Sequence, residues 1–222
     1  MSRPSWAQKR NATPRHEQDF YQTTRDCVEA LMAAEQITGP VWEPACGDGR
    51  ISEVLEHLYG LPVVSTDLVD RGYGEGGRDF LTEPELLAPV IVTNPPYVGD
   101  MPELFAQQAL MLGAKRVCLL MRLPWLAGEA RGAGMFKDHP PDRVWVLSFR
   151  PTLWHGDDPM ARDSGGAISY AWYVWEAGSR PARPGMFLGG WLPRPPDRGT
   201  ADAALLDNVW ARRRLTRFLA AL

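Results

Sequence analysis

The stretch that most constrains this chain spans residues 40–59, with Val41-Trp42-Glu43-Pro44-Ala45-Cys46-Gly47-Asp48-Gly49-Arg50 at its centre. A short apolar run ends on a carboxylate, a turn rich in Pro and Gly follows, and Ile51, Val54, Leu55 and Leu58 then recur at helical spacing. That order predicts strand, tight turn and helix. Gly47 and Gly49 permit backbone conformations and close approaches that a Cβ would obstruct, and the helix behind them points unbonded N–H groups at the turn. A small ligand with an anionic or polar group can sit there.

Two later strands bear on the same site. Residues 62–66 read as a strand that delivers Asp67 at its carboxyl end, 24 positions after Glu43, a separation that suits one helix and the next parallel strand. A carboxylate placed there offers paired acceptors to a vicinal diol. Asp70 is a second candidate, and for either residue a solvated turn carboxylate is the competing reading. Residues 89–93 form a β-branched run that ends on Asn94-Pro95-Pro96-Tyr97. The two prolines stiffen the turn at the edge where open parallel sheets bind ligands. Asn94 and the Pro95 carbonyl are two acceptors that do not titrate, and Tyr97 offers a flat ring.

In this order the segments resemble a family. Glu43 to Gly49 is similar to the cofactor-binding motif of class I S-adenosylmethionine-dependent methyltransferases. Asn94-Pro95-Pro96-Tyr97 resembles the catalytic motif of their amino-methylating branch, and with Asp67 and Asp79 the whole resembles an N6-adenine DNA methyltransferase over residues 18–176. The resemblance implies an α/β, Rossmann-like fold with a mostly parallel seven-stranded sheet and helices on both faces. It also implies S-adenosyl-L-methionine as cofactor, DNA as partner and a catalytic role for Asn94, Pro95, Pro96 and Tyr97. An sp² amine such as adenine N6 is a poor nucleophile, and two acceptors on its protons favour localisation of its lone pair while Tyr97 stacks on the base.

For the cofactor, the resemblance implies Phe20, Tyr21 and Thr23 at the methionine end, then Glu43, Pro44, Ala45, Gly47 and Gly49, with Asp67 on the ribose and Asn94 also among the cofactor-binding residues. Asp79 is to accept from the adenine amine, with Phe80 or Leu68 in apolar contact. Local chemistry offers other roles for some of these. The segment around Phe20 can instead anchor a helix on the sheet, and Asp79 can begin a short helix near Pro84, where Thr82 with Glu85 makes a capping-box pattern.

The remaining chain is read as supporting structure. Thr23 or Thr24 is to cap a helix over residues 25–36, residues 104–112 give a helical face, and strands are expected at 116–121, 143–148 and 168–175. A helix is expected from Trp125 into the glycines at 128–134. Residues 71–78 are glycine-rich and read as a mobile loop, and residues 149–167 as a polar, substrate-facing loop. Tyr170, Trp172 and Tyr173 are candidates for the wall of a base pocket or for core packing. Residues 177–222 are expected to form a Pro/Gly-rich extension: an irregular wrap over 178–200, then a terminal helix over 202–222.

Composition limits the partners. The 222 residues suit one domain with a single core, and 45% are apolar. No apolar run is long enough for a membrane span and the N-terminus is polar, so a soluble, cytoplasmic protein is expected. Cys27, Cys46 and Cys118 lie too far apart for a paired metal motif; they are expected to be buried, and no metal is expected. The net charge of −3 carries no global nucleic-acid signature, although Lys9, Arg10 and Arg15 and the group Arg212, Arg213, Arg214 and Arg217 can contact phosphate locally or remain solvated. No recognition domain is evident, so specificity is either loop-encoded or supplied by a protein partner. The competing activities are methylation of a protein glutamine amide or of RNA adenine; a cofactor-binding subunit without chemistry is the non-enzymatic alternative.

Overall fold

A computed structural model describes residues 20–155, 168–179 and 185–196. The expected basic clusters at both ends, the terminal helix and residues 156–167 of the polar loop lie outside the described residues.

The strand, turn and helix predicted around Glu43 are β2 (Val41–Glu43) and α2 (Arg50–Tyr59). β3 (Val63–Ser65), β4 (Val90–Thr93) and β5 (Arg116–Arg122) continue a parallel sheet from them. β8 (Tyr170–Glu176) pairs antiparallel with β5 and with β6 (Arg143–Leu147), and β9 (Leu188–Leu192) pairs parallel with β6. The strand order β3-β2-β4-β5-β8-β6-β9 makes a seven-stranded, mostly parallel sheet. A separate pair joins β1 (Tyr21–Gln22) to β7 (Trp154–His155), with Tyr21 opposite His155 and Gln22 opposite Trp154.

Period-two alternation sorts the side chains onto two faces. Cys118, Leu120, Tyr170, Trp172 and Val174 join one apolar cluster with residues of α1 (Arg25–Glu35) and α2. Val117, Leu119, Met121, Ala171, Tyr173 and Trp175 join the other, which is shared with α3 (Met101–Met111) and the 3₁₀ turn Phe80–Thr82. Helical elements therefore cover both faces, as expected. Trp172 donates from Nε1 to the Cys27 carbonyl at 2.9 Å and is fully buried against α1, so it is a core residue. Tyr173, on the opposite face, donates to the Leu123 carbonyl at 3.1 Å.

Several local expectations are corrected. Residues 178–200 are not wholly irregular, because β9 extends the sheet edge beyond β6. Thr24 is the N-cap residue of α1 without a capping hydrogen bond; its hydroxyl turns to Asp26 instead. The pattern at Thr82 and Glu85 starts no helix: Asp79 accepts from the Leu81 N–H at 3.1 Å and caps the 3₁₀ turn, and Thr82 returns its hydroxyl to the Asp79 carbonyl. The stretch after Trp125 breaks into α4 (Glu129–Ala133) and α5 (Met135–Asp138), separated at Gly134. Backbone bonds from Asp67 N to Glu75 O, Glu75 N to Ser65 O and Arg78 N to Asp67 O join residues 71–78 to the end of β3. The three cysteines are buried and unpaired, and burial pushes each thiol up. No helix among the described residues is long and apolar enough to cross a membrane.

Candidate functional site

A cleft opens at the carboxyl ends of β2, β3 and β4, where the chain leaves β2 for β3 on one side and later returns to β4 on the other. Phe20, Tyr21, Thr23, Glu43, Pro44, Ala45, Asp67, Leu68, Asp79, Phe80, Asn94, Pro95 and Pro96 line it together. Gly47 and Gly49 shape it through backbone rather than by exposing surface. Both have positive φ, and a Cβ on Gly47 would strike the Phe20 ring, while one on Gly49 would strike Tyr73.

Carboxylates dominate the half formed by β2 and β3. Asp67 accepts the Gly47 N–H at Oδ2 and the Val69 N–H at Oδ1, both at 2.8 Å. These bonds hold the carboxylate toward the cleft and leave each oxygen a lone pair. Burial raises its pKa, against the backbone bonds from Val69 and Gly47. Glu43 also lines the cleft, but its Oε2 accepts the Ser52 N–H at 2.9 Å and the Ser52 hydroxyl, so this carboxyl ties β2 to the first turn of α2. Burial holds its pKa well above the usual carboxylate range. Asp70 instead accepts from the Gly72 N–H at 2.8 Å within its own turn.

Among the lining residues to which sequence alone assigned no site role, three form a hydrogen-bonded group. Gln22 donates from its side-chain amide to Asp48 at 2.9 Å, and Arg50 donates to the same Asp48 oxygen at 3.1 Å and to Gln22 Oε1 at 3.4 Å. The other Asp48 oxygen is buried without a hydrogen-bond partner. Asp48 and Arg50 flank the glycines, yet nothing in sequence places Gln22, 26 positions before Asp48, beside them.

The half at the end of β4 is built differently. Asn94 donates from Nδ2 to the Tyr21 carbonyl at 3.2 Å and to the Thr23 hydroxyl at 3.1 Å. Those two acceptors fix the amide so that Oδ1 faces the other way. The Tyr97 hydroxyl donates to that Oδ1, and it also lies 3.1 Å from the Leu120 carbonyl. Tyr97 stands outside the cleft lining, with its ring centroid 5.7 Å from Tyr21 and 6.1 Å from Tyr170. Of the three aromatic candidates on β8, Tyr170 is thus the one beside this site. The Arg122 guanidinium lies 5.0 Å from the Tyr97 ring centroid and 5.8 Å from that of Tyr21. Among the described residues, no cluster of three His, Cys, Asp or Glu side chains is arranged to hold a metal ion.

Neither a protein-family model nor a curated protein sequence matches the chain. Solved structures do. A proposed RNA methyltransferase from Pyrococcus horikoshii superposes with a TM-score of 0.53 at 16% identity, over 76% of this chain and 91% of its own. The methyltransferase subunit of a type I restriction-modification system from Streptococcus thermophilus gives 0.46 at 11% identity, over 70% of this chain and 43% of that one. A dimethyladenosine transferase from Plasmodium falciparum gives 0.44 at 13% identity, over 68% and 60%. The first of these, with the strand order and the position of the cleft, defines the architecture: a Rossmann-like methyltransferase fold.

Proposed function

We propose that this chain is an S-adenosylmethionine-dependent methyltransferase that acts on the N6 amine of adenine in DNA. The observation that carries the reading is the orientation of Asn94. With its NH₂ bound to Tyr21 and Thr23, its carbonyl oxygen is free to face the target amine, and the Pro95 carbonyl is assigned as the second acceptor. A carbonyl oxygen accepts two hydrogen bonds, so Oδ1 can keep the Tyr97 hydroxyl and still take a proton of the target amine.

The residues of the cleft fit the cofactor. Asp67 presents a paired acceptor for a ribose diol, the unpartnered Asp48 oxygen suits an ammonium group, and Gly47 keeps the wall free of a Cβ. Phe80 and Leu68 supply apolar contact for a purine, and the Asp79 carboxylate stands beside them. When bound, S-adenosylmethionine supplies an electrophilic methyl group. The protein's contribution is to align the amine and to accept its N–H bonds as positive charge develops, without a titrating base. The Tyr97 ring is the stacking surface for the base. A short or relaxed sequence preference follows, or one supplied by a protein partner, since the described residues hold no second domain.

The test is incubation with labelled S-adenosylmethionine and, separately, duplex DNA, single-stranded DNA, RNA and a cell protein extract, followed by digestion and mass spectrometry. N6-methyladenine in DNA is expected. Label in protein glutamine or RNA adenine alone would overturn the DNA assignment, and N4-methylcytosine would keep DNA but reassign the base. Failure to bind S-adenosylhomocysteine in calorimetry would remove the methyltransferase reading altogether.

A further inference from the structure

Arg122 ends β5, the strand next to β4, so it stands one strand over from the turn that holds Asn94. Its surroundings are aromatic: the guanidinium faces Tyr97 and Tyr21, while its Nε is buried without a hydrogen-bond partner. Arg25, Arg50, Arg78, Arg116, Arg143 and Arg194 each reach a carboxylate within 3.2 Å. Among the described residues Arg122 pairs with none. Tyr97 contacts both groups, with its hydroxyl on Asn94 and its ring against Arg122.

An uncompensated cation at this place works against the proposed chemistry. Methyl transfer to a neutral amine builds positive charge on the nitrogen, and a nearby guanidinium in a partly desolvated site opposes it. The conflict disappears if the substrate brings its own anion. We infer that Arg122 binds a phosphate of the nucleic-acid backbone next to the target nucleotide, and so is a substrate-binding residue that selects nucleic acid over a peptide amide. The guanidinium fork suits a phosphate, and the tyrosine rings hold it in place before the substrate arrives. This inference rests on the nucleic-acid reading above.

The experiment uses the wild-type chain and oligonucleotides with one target adenine, each carrying a single neutral methylphosphonate linkage at a different position around it. One linkage is expected to raise KM about tenfold or more, the loss of one charge-assisted hydrogen bond, with kcat changed less. Arg122→Gln should show the same rise on the unmodified substrate and no further rise with that linkage. Its log KM against log salt slope should fall by about 0.9 on duplex DNA, one phosphate's worth. Arg122→Lys, which keeps the charge without the fork, should recover part of the loss. Methylation of DNA with no sensitive linkage in the wild type would overturn the assignment while leaving the function standing. An unchanged salt slope in a folded Arg122→Gln would do the same. Label that enters only protein would overturn both.

Discussion

The two ends of the parallel strands both carry charged side chains, and they use them in opposite ways. At the amino ends, Arg143 meets Glu35 at 2.7 and 2.8 Å and Glu176 at 2.7 Å, Arg116 clasps Glu176 at 2.9 Å through two nitrogens, and Trp145 donates to Glu35 at 2.6 Å. Burial pushes the Glu176 pKa up, but the bonds from Arg116 and Arg143 outweigh it and hold the carboxyl low. At the carboxyl ends, an Asp48 oxygen and the Arg122 Nε are buried without partners. A closed network clamps α1 to β5, β6 and β8, whereas unmatched groups around an open cleft keep bonding capacity for a ligand.

The largest effect should come from breaking the closed network. Glu35→Ala removes the carboxylate shared by Arg143 and Trp145 and should cost about 3 kcal/mol of unfolding free energy, measured by urea denaturation. S-adenosylhomocysteine affinity of the folded fraction should stay near that of the parent. A loss of less than about 1 kcal/mol would mean that the network is no stronger than a surface pair.

Asn94→Ala comes next, on the open side. Turnover should fall about 100-fold or more through loss of a directed acceptor, with much smaller changes in stability and cofactor affinity. Single-turnover kinetics separates these. If cofactor affinity falls as far as turnover, the bonds from Asn94 to Tyr21 and Thr23 matter more than its carbonyl.

Asp67→Ala should weaken S-adenosylhomocysteine binding by about 1.5–3 kcal/mol in calorimetry. The raised pKa adds a pH dependence. Ribose hydroxyls bond the ionised carboxylate better than the acid, so affinity should be greatest above that pKa and decline as pH falls through it. For folding the sign reverses: the folded chain holds this proton more readily, so Asp67 opposes stability as pH rises from the unfolded value through the folded one. Asp67→Asn should flatten the affinity profile; an unchanged profile would assign the titration to another group.

Tyr97→Phe should have the smallest effect, about 1 kcal/mol in kcat/KM, because the ring remains and only its hydroxyl bond to Asn94 is lost. Tyr97→Ala should cost more. Equal losses would show that holding Asn94, rather than stacking on a base, is the function of this tyrosine.

Where periodicity along the chain was strong, the placement of an element was legible in the residues themselves. The spacing of Ile51, Val54, Leu55 and Leu58 sets α2, the β-branched run sets β4, Asn94 follows its strand directly and Asp67 follows its own after one residue, so both stand at the carboxyl edge. Strand alternation also separates Tyr170 from Tyr173, though it does not reveal which faces the site. Tertiary structure alone decided which polar groups are already satisfied. Glu43 and Asp67 are both acidic residues just after or at the end of a parallel strand, but Ser52 engages one while the other is held toward the cleft. The same holds for Gln22 with Asp48, for β1 with β7, and for Arg122 among its tyrosines, whose partners come from distant parts of the chain. Hydrogen bonds and ring contacts act over a few ångströms in space, so spacing along the chain can place a side chain at an edge but cannot identify its neighbour there.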